Sequence, residues 1–193
     1  MHETLIQHIN SHASTPLTES DIDIVKNIFT PRRIRKRQYF LQEGDVCKYM
    51  GFVVKGAMRQ YSVDDKGTEH IVRLYIENWW AGDRESFVML TPSNYNIDAW
   101  EDTDILTITQ TNVAVFKSIP ALNELSSSLD EKHAIAFLKR INASISLPAE
   151  ERYAELAKTY PEFLQRFPQH IIASYLGITK ETLSRVRSHA LKK

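Results

Sequence analysis

The chain has 193 residues, enough for one domain or two small ones and too few for a large multidomain enzyme. Basic and acidic residues number 24 each, so the zero net charge gives no overall indication of a nucleic-acid or membrane partner. The single cysteine, Cys47, excludes an intrachain disulfide and a cysteine-based zinc site. The N-terminus lacks a signal-peptide pattern, and no apolar run nears the ~20 residues that span a bilayer, so we expect a cytoplasmic globular protein.

The first predicted element is a helix from about Thr18 to Phe29. Thr18 is a suitable N-cap with Asp21 three residues later, and apolar residues recur at helical spacing until Pro31. A dense basic cluster follows, made of Arg32, Arg33, Arg35, Lys36 and Arg37. Such a cluster usually lies on a solvated strand or turn, and a phosphate contact is the alternative.

Between Gln38 and Thr109 the chain is rich in β-branched and aromatic residues, with turn sequences at short intervals. The turns contain Glu43-Gly44-Asp45, Lys55-Gly56, Asp64-Asp65-Lys66-Gly67, Ala81-Gly82-Asp83 and Pro92-Ser93-Asn94. Strands of about six residues fit between these turns. The pattern predicts a small antiparallel sandwich or barrel.

Helical periodicity returns after Pro120 and continues to Pro148. The apolar stripe contains Leu122, Leu125, Leu129, Ala136, Phe137, Ile141 and Leu147. A helix of about 26 residues would be about 39 Å long, which exceeds the width of a small β-domain. We therefore predict a dimer interface with the same helix of a second subunit, formed by Leu122, Leu125, Leu129, Ala136 and Phe137. Packing of the whole helix on the β-domain is the alternative.

The C-terminal region predicts two short helices around Gly177. The first would run from Pro168 or Gln169 to Leu176 and the second from Thr179 to about Leu191. Apolar side chains spaced to meet between them are Ile172, Ala173, Leu176, Ile178, Leu183 and Val186. From Leu164 onward there are six basic residues and one acidic residue, which suits an anionic polymer.

The start of the second short helix carries the side chains expected of a recognition helix in a DNA major groove. Thr179 can cap the helix, Arg185 can bond to guanine and Glu181 can accept from cytosine. The predicted DNA-binding residues are Thr179, Lys180, Glu181, Ser184, Arg185 and Arg187. An ordinary surface hairpin is the alternative.

The segment from Ile172 to Arg185 resembles the helix-turn-helix of the Crp/Fnr superfamily of bacterial transcription regulators. The resemblance extends to a cyclic-nucleotide-binding-type β-roll over Tyr39–Thr109 and to a dimerisation helix ending near Leu147. It implies an α+β fold with an N-terminal antiparallel β-roll (double-stranded β-helix or jelly-roll type), flanking helices, a long dimerisation helix and a C-terminal helix-turn-helix. The implied regions are a sensor domain at 1–120, the dimerisation helix at 121–147 and a DNA-binding domain at 148–193. The last is too short for a full wing, so Lys192 and Lys193 would contribute to DNA affinity.

The resemblance also implies a ligand pocket at a short phosphate-binding segment. The pocket residues carried over are Gly82, Asp83, Arg84, Ser93 and Asn94. Gly82-Asp83 falls at the family's Gly-Glu position, and Ser93 stands where the family has an arginine that pairs with the cyclic phosphate. A serine cannot replace that bidentate, charge-assisted clamp, so any small-molecule effector is expected to differ from cyclic AMP.

No cofactor, metal or enzymatic activity is expected. One cysteine cannot supply the usual ligands of an iron–sulfur cluster, so Fnr-like sensing is not predicted. His70 is the only histidine of the β-region, and catalytic motifs are missing from the sequence.

The function implied by the resemblance is a homodimeric, sequence-specific regulator that binds near-palindromic double-stranded DNA. Two recognition helices would lie one DNA turn apart, roughly 34 Å. RNA polymerase is a further candidate partner. The alternative function is a ligand-binding or protein-interaction module whose helical tail does not bind DNA.

Overall fold

A computed structural model describes residues 1–190 of the chain, which form nine α-helices and eight β-strands. The helices are α1 (His2–His12), α2 (Glu19–Ile28), α3 (Arg84–Met89), α4 (Val113–Ser118), α5 (Pro120–Ser146), α6 (Ala149–Thr159), α7 (Pro161–Arg166), α8 (Gln169–Leu176) and α9 (Lys180–Ala190). The strands are β1 (Thr30–Ile34), β2 (Tyr39–Leu41), β3 (Tyr49–Lys55), β4 (Met58–Val63), β5 (Glu69–Tyr75), β6 (Trp80–Ala81), β7 (Asn96–Ala99) and β8 (Thr103–Thr109). Leu191, Lys192 and Lys193 lie outside the described residues, and with them the predicted end of the recognition helix and the role of the two terminal lysines.

The strands form two four-stranded antiparallel sheets, where the sequence predicted a small antiparallel sandwich or barrel. Their orders are β1-β8-β3-β6 and β2-β7-β4-β5. Val53 and Ile105 of the first sheet and Met58 and Ile97 of the second are fully buried in one cluster, which places this core between the sheets. The predicted α+β class with an antiparallel β-roll is confirmed.

The N-terminal helices cover the outer face of the first sheet. Leu5, Ile9, Val25 and Phe29 pack with Phe52 of β3 in a second buried cluster. Helix α2 begins after Thr18, whose hydroxyl accepts from the Asp21 amide while the Asp21 carboxylate accepts from the Thr18 amide. Helix α1 had not been predicted, although its apolar residues recur one helical turn apart.

Helix α5 has 27 residues and ends at Ser146, followed by the C-cap Leu147 and Pro148. Its first turns belong to the N-terminal core: Leu122 and Leu125 are 0% exposed, and Leu129 is partly buried against the same cluster. This corrects the predicted dimer interface, because these side chains are already covered within the subunit. Phe137 is exposed, so only the later part of the predicted interface is open to a partner.

His8 on α1 is packed against Phe52, with 5.2 Å between ring centroids, and lies 4.4 Å from the His12 ring. Its Nε2 atom is buried and has no hydrogen-bond partner among residues 1–190. Burial, followed by the positive charges of His12 and Lys132, lowers the pKa of His8 from 6.5 to about 4.

We expect this histidine to reduce stability in acid. Between pH 6.5 and 4 the unfolded chain binds a proton at His8 that the folded chain does not, so folding free energy is lost as the pH falls. Allowing for partial hydration of the ring, the loss is about 2 kcal/mol. Urea unfolding measured between pH 6.5 and 4 should show that the His8→Leu variant loses less unfolding free energy than the wild type as the pH falls. The His189→Leu variant, altered at an exposed residue of α9, should match the wild type, and equal slopes for His8→Leu and wild type would contradict the assignment.

Helices α6 to α9 form a C-terminal head on the outer face of the second sheet. Phe163, Phe167 and Ile172 of the head share a third buried cluster with Tyr61 and Leu74 of that sheet. The molecule is therefore layered as N-terminal helices, first sheet, second sheet and head. Across the part of the chain that is described, no helix has both the length and the apolar character to cross a membrane.

Candidate nucleic-acid interface and ligand pocket

Helices α8 and α9 form a tight hairpin whose turn depends on Gly177. Gly177 has φ +66°, a left-handed conformation that favours glycine at a helix C-terminus. The Gly177 amide donates to the Ala173 and Ser174 carbonyls, and the Ile178 amide donates to the Ala173 carbonyl at 3.0 Å. Thr179 then caps α9, because its hydroxyl accepts from the Thr182 amide at 3.2 Å.

One side of the hairpin is buried and the other faces solvent. Ile172, Ala173, Leu183 and Val186 are buried, as their predicted spacing between the helices required. The sequence-predicted DNA contacts Thr179, Lys180, Glu181, Ser184 and Arg185 are exposed, and Arg187 is half-buried.

The exposed face of α9 is free to meet a ligand. Within residues 1–190, Lys180 and Arg185 form no ion pair. Hydrogen bonds from its own amide and from the Thr179 hydroxyl lower the pKa of Glu181, so the carboxylate remains an acceptor. The first two turns of α9 thus present two cations, the Glu181 carboxylate and the Ser184 hydroxyl to solvent.

The head is fastened to the second sheet by polar contacts as well as by the buried cluster. The Ser174 hydroxyl accepts from the Ile71 amide at 2.9 Å and donates to the Glu69 carbonyl at 3.2 Å, which joins α8 to β5. Arg166 of α7 pairs with Glu77 and Glu101 at 2.5 and 2.6 Å. Burial opposes ionisation of Glu77, but the hydrogen bonds from Arg166 and from the backbone amides of Glu77 and Gly56, together with the charge of Arg166, outweigh it and lower the pKa of that carboxyl.

The predicted ligand-pocket residues are held mainly by contacts within the chain. Asp83 caps α3, accepting from the Glu85 and Ser86 amides, and also accepts from the buried Ser93 hydroxyl at 2.7 Å. A Cβ atom at Gly82 would lie 2.4 Å from the Met50 Sδ, so the Met50 side chain would have to move to admit one.

The remaining two predicted pocket residues lie on the surface. Arg84 pairs with Asp130 of α5, and Asn94 is exposed. Ser93 therefore completes an internal network with Asp83 instead of offering a cationic clamp to a phosphate.

A cleft of about 830 Å³ lies between the β-roll, α5 and the head. Its cationic lining residues are Arg73, Arg84, Lys132, Lys139, Arg140 and Arg152, and its acidic ones are Asp83, Glu85 and Glu155. The excess of cations makes the cleft suited to an anionic ligand.

Two arginines of this cleft connect its walls and were not predicted from the sequence. Arg140 donates to the Val72 and Ile71 carbonyls of β5, and its guanidinium lies 4.3 Å from the Tyr175 ring centroid. Arg152 donates to the Leu176 carbonyl at 2.7 Å, while its buried Nε has no partner among the described residues. The cleft thus touches the first helix of the hairpin as well as the sheet.

The described residues contain no group of three or more His, Cys, Asp or Glu side chains arranged to hold a metal ion. Cys47 is buried, and its thiol donates to the Tyr49 carbonyl at 3.2 Å. Burial raises the pKa of this thiol, which disfavours the thiolate that would bind a metal.

Comparison with known proteins agrees with this architecture. Residues 31–116 match the cyclic nucleotide-binding domain family. The chain is 25% identical over 185 residues to the fumarate and nitrate reduction regulatory protein of Escherichia coli K12, covering 88% of this chain and 72% of that protein.

Solved structures share the fold along most of their length. FixK2 from Bradyrhizobium japonicum has a TM-score of 0.70 at 19% identity, covering 86% of this chain and 85% of FixK2. A CooA mutant from Carboxydothermus hydrogenoformans has a TM-score of 0.71 at 20% identity, covering 87% of this chain and 78% of CooA. With the matched domain, these relatives and the shared fold, the chain is similar to transcription regulators of the Crp/Fnr type over most of its length.

Proposed function

We propose that the protein is a sequence-specific transcription regulator that binds double-stranded DNA through the exposed face of α9. The observation that carries the proposal is the capped N-terminus of α9, where Lys180, Glu181 and Arg185 are exposed while the opposite side of the helix is buried. This arrangement lets the helix enter a major groove without unfolding the hairpin. It favours DNA binding over a tail that serves only packing, and a cytoplasmic location, where the DNA would be, belongs to the proposal.

Arg185→Ala tests this proposal. The variant loses the side chain placed to bond a guanine edge, and we expect it to bind an operator selected from random duplexes about 5- to 150-fold more weakly, which corresponds to 1–3 kcal/mol. Fluorescence anisotropy at a fixed, stated salt concentration measures the change. Lys117→Ala on α4 removes the same charge from the N-terminal layer and should bind like the wild type. Equal losses in both variants would count against the assigned recognition helix.

The regulator acts as a homodimer through the C-terminal half of α5. Ile135, Phe137, Leu138, Ile141 and Ile145 are large apolar side chains that are 40% or more exposed on this helix. Leu138, Ile141 and Ile145 recur at i, i+3 and i+7, the spacing of a helix–helix seam. A two-fold dimer along this seam would present two α9 helices to a near-palindromic site, with the helices roughly 34 Å apart.

With DNA binding assigned to α9 and dimerisation to α5, the chain divides into a sensor at 1–120, the dimerisation helix at 121–147 and the DNA-binding region at 148–193. The proposal includes RNA polymerase as a partner, because a DNA-bound regulator would act on transcription by contacting it.

A small-molecule effector would bind in the cationic cleft between the β-roll and α5. The internal Ser93–Asp83 hydrogen bond supports an effector other than cyclic AMP, because no arginine stands at that position to clamp a cyclic phosphate. Since Arg140 and Arg152 contact both the cleft and the first hairpin helix, an anion bound there would favour one placement of the head. Such control requires the ligand to bind the two placements with different affinities.

A further inference from the structure

The outer edge of β5 is covered by side chains from two helices. β5 is the last strand of the second sheet, so within residues 1–190 no strand pairs with its outer side. On that side the Ile71 amide donates to the Ser174 hydroxyl of α8 at 2.9 Å, and this hydroxyl donates to the Glu69 carbonyl at 3.2 Å. The Arg140 guanidinium of α5 donates to the Val72 and Ile71 carbonyls. The two side chains occupy the backbone groups that an edge strand otherwise leaves open.

A β-bulge lies at the point where Arg140 binds this edge. The pairing between β4 and β5 shifts between Gln60 and Tyr61, which leaves Val72 of β5 without a partner on β4. A bulge bends its strand and disrupts the ladder locally, so the backbone of the extra residue is open to other partners. The Val72 carbonyl accepts from Arg140, and the bulge therefore marks one specific place on the edge for this side chain.

Arg140 also reaches the C-terminal head. Its guanidinium carbon lies 4.3 Å from the centroid of the Tyr175 ring on α8, beside Ser174 in the chain. In the described part of the chain, Arg140 is the only side chain of α5 that forms a hydrogen bond, an ion pair or a cation–π contact with β5 or α8. The long helix, the second sheet and the first helix of the hairpin thus meet at one guanidinium group.

Arg140 lies on the inner side of the helix that is proposed to form the dimer. Leu138 and Ile145 are 65% and 81% exposed. At about 100° per residue, Arg140 is turned by about 160° from Leu138 and by about 140° from Ile145. The same stretch of α5 therefore presents apolar side chains to a second subunit and a cation to the head of its own subunit.

We propose that Arg140 is a positioning residue that fixes each head relative to α5 and so sets the half-site spacing that the dimer reads. The inference rests on the proposed function, because it requires two α9 helices on one DNA. The distance between these helices depends on where α5 pairs with its copy and on how each head is held against α5 and β5. Without Arg140, the buried cluster around Phe163 still holds the head, but the angle of the hairpin to α5 is no longer fixed.

The test measures DNA affinity against half-site spacing for wild type and Arg140→Gln at a fixed salt concentration. The probes are the operator that the wild type selects from random duplexes and the same operator with one or two base pairs inserted between its half-sites. Each inserted base pair moves one half-site by about 3.4 Å along the DNA and by about 35° around it, so a dimer with fixed heads should bind these duplexes more weakly. The ratio of affinities for original and extended operators should be about fivefold or more smaller in Arg140→Gln.

Two further variants accompany this comparison. Lys139→Gln removes the same charge from the neighbouring exposed residue and should keep the wild-type ratio. Ser174→Ala removes the contact of α8 with the same edge of β5 without altering α5, and it should also reduce the ratio.

Hydrogen exchange of the Ile71 amide reports the head placement without DNA. The amide lies on the outer edge of β5 and donates to the head through the Ser174 hydroxyl, so it is protected while the head is docked. It should exchange faster in Arg140→Gln, whereas the amides of β8, in the middle of the first sheet, should exchange as in the wild type. If β8 also exchanges faster, Arg140→Gln has lost overall stability and the Ser174→Ala ratio decides.

The outcomes separate this inference from the proposed function. A wild-type ratio in Arg140→Gln overturns the inference even if affinity falls equally at every spacing, because a purely structural loss has that result. A wild-type ratio in Ser174→Ala or an unchanged Ile71 exchange rate in Arg140→Gln also overturns it. If Arg185→Ala weakens binding to the selected operator while Arg140→Gln keeps the wild-type ratio, the proposed function stands and the inference fails. If the wild type selects no operator, both fail.

Discussion

Replacing Leu138 and Ile145 by aspartate is expected to convert the proposed dimer into a monomer. These side chains are 65% and 81% exposed in the single subunit, so the subunit loses no internal packing when they become charged. In a dimer they would be buried against their copies, and four unpaired carboxylates would be placed in one apolar seam. Sedimentation velocity should show the mass of one subunit.

The same variant should bind operator DNA on the order of 10²- to 10⁴-fold more weakly than the wild type. In the dimer, binding of the first head raises the effective concentration of the second, and the monomer loses that advantage. The Val115→Asp variant introduces a charge at an exposed apolar position of α4 and should remain dimeric. A Leu138→Asp, Ile145→Asp protein that still sediments as a dimer would show that the subunits meet elsewhere.

The structure also determines which residues are unsuitable for this experiment. Leu125 is 0% exposed and belongs to the cluster that joins α1 to the first sheet. An aspartate there would unfold the N-terminal layer, and a loss of dimer would then say nothing about the interface. A variant at Leu129, which packs against the same cluster, has the same difficulty.

The helix-turn-helix could be predicted almost to the residue because its determinants are local. Gly177 supplies the left-handed turn, Thr179 supplies the cap, and the apolar spacing of Ile172, Leu183 and Val186 sets the buried side. Each of these acts within a few residues along the chain. The order of β-formers and turns likewise predicted an antiparallel roll, since hairpin signals are short-range.

The covered and open parts of α5 could not be separated from the sequence. Leu122 and Leu125 begin one apolar face, and Leu138 and Ile145 belong to another that lies on nearly the opposite side of the helix at 3.6 residues per turn. Periodicity shows that a face is apolar but not what covers it. The helix α1 that covers the first face is about 110 residues away in sequence, as the Ser14–Glu124 hydrogen bond illustrates.

The cationic cleft between the β-roll, α5 and the head could not be predicted from the sequence for a related reason. Arg140 and Arg152 lie on different helices, and they meet the β5 strand and the α8 helix only after the head has folded onto the second sheet. Isolated arginines on helices carry no signal that distinguishes them from solvated surface charges. The Ser93–Asp83 hydrogen bond joins residues ten positions apart and could not be predicted either, although the missing arginine at position 93 was visible in the sequence.

Phe163→Ala is expected to detach the head from the β-roll. Phe163 is 0% exposed, and its ring lies 5.7 Å from Trp79, 5.8 Å from Phe167 and 5.9 Å from Tyr175. Removing a buried phenylalanine typically costs 3–5 kcal/mol, from lost burial and from the cavity that remains. Trp79 belongs to the β-roll and Tyr175 to α8. The lost packing therefore weakens the interface between the head and the β-roll.

Two readouts separate detachment from general unfolding. The near-ultraviolet circular dichroism of Trp79 should weaken and DNA affinity should fall, while the far-ultraviolet signal of the β-roll is retained. Phe163→Leu keeps most of the buried volume and should cost less than about 1.5 kcal/mol. Simultaneous loss of both signals at one urea concentration, with no earlier transition, would mean that head and roll unfold as a single unit. In that case the head could not be repositioned by an effector without disturbing the sheet beneath it, and control of DNA binding would have to act through the dimer seam instead.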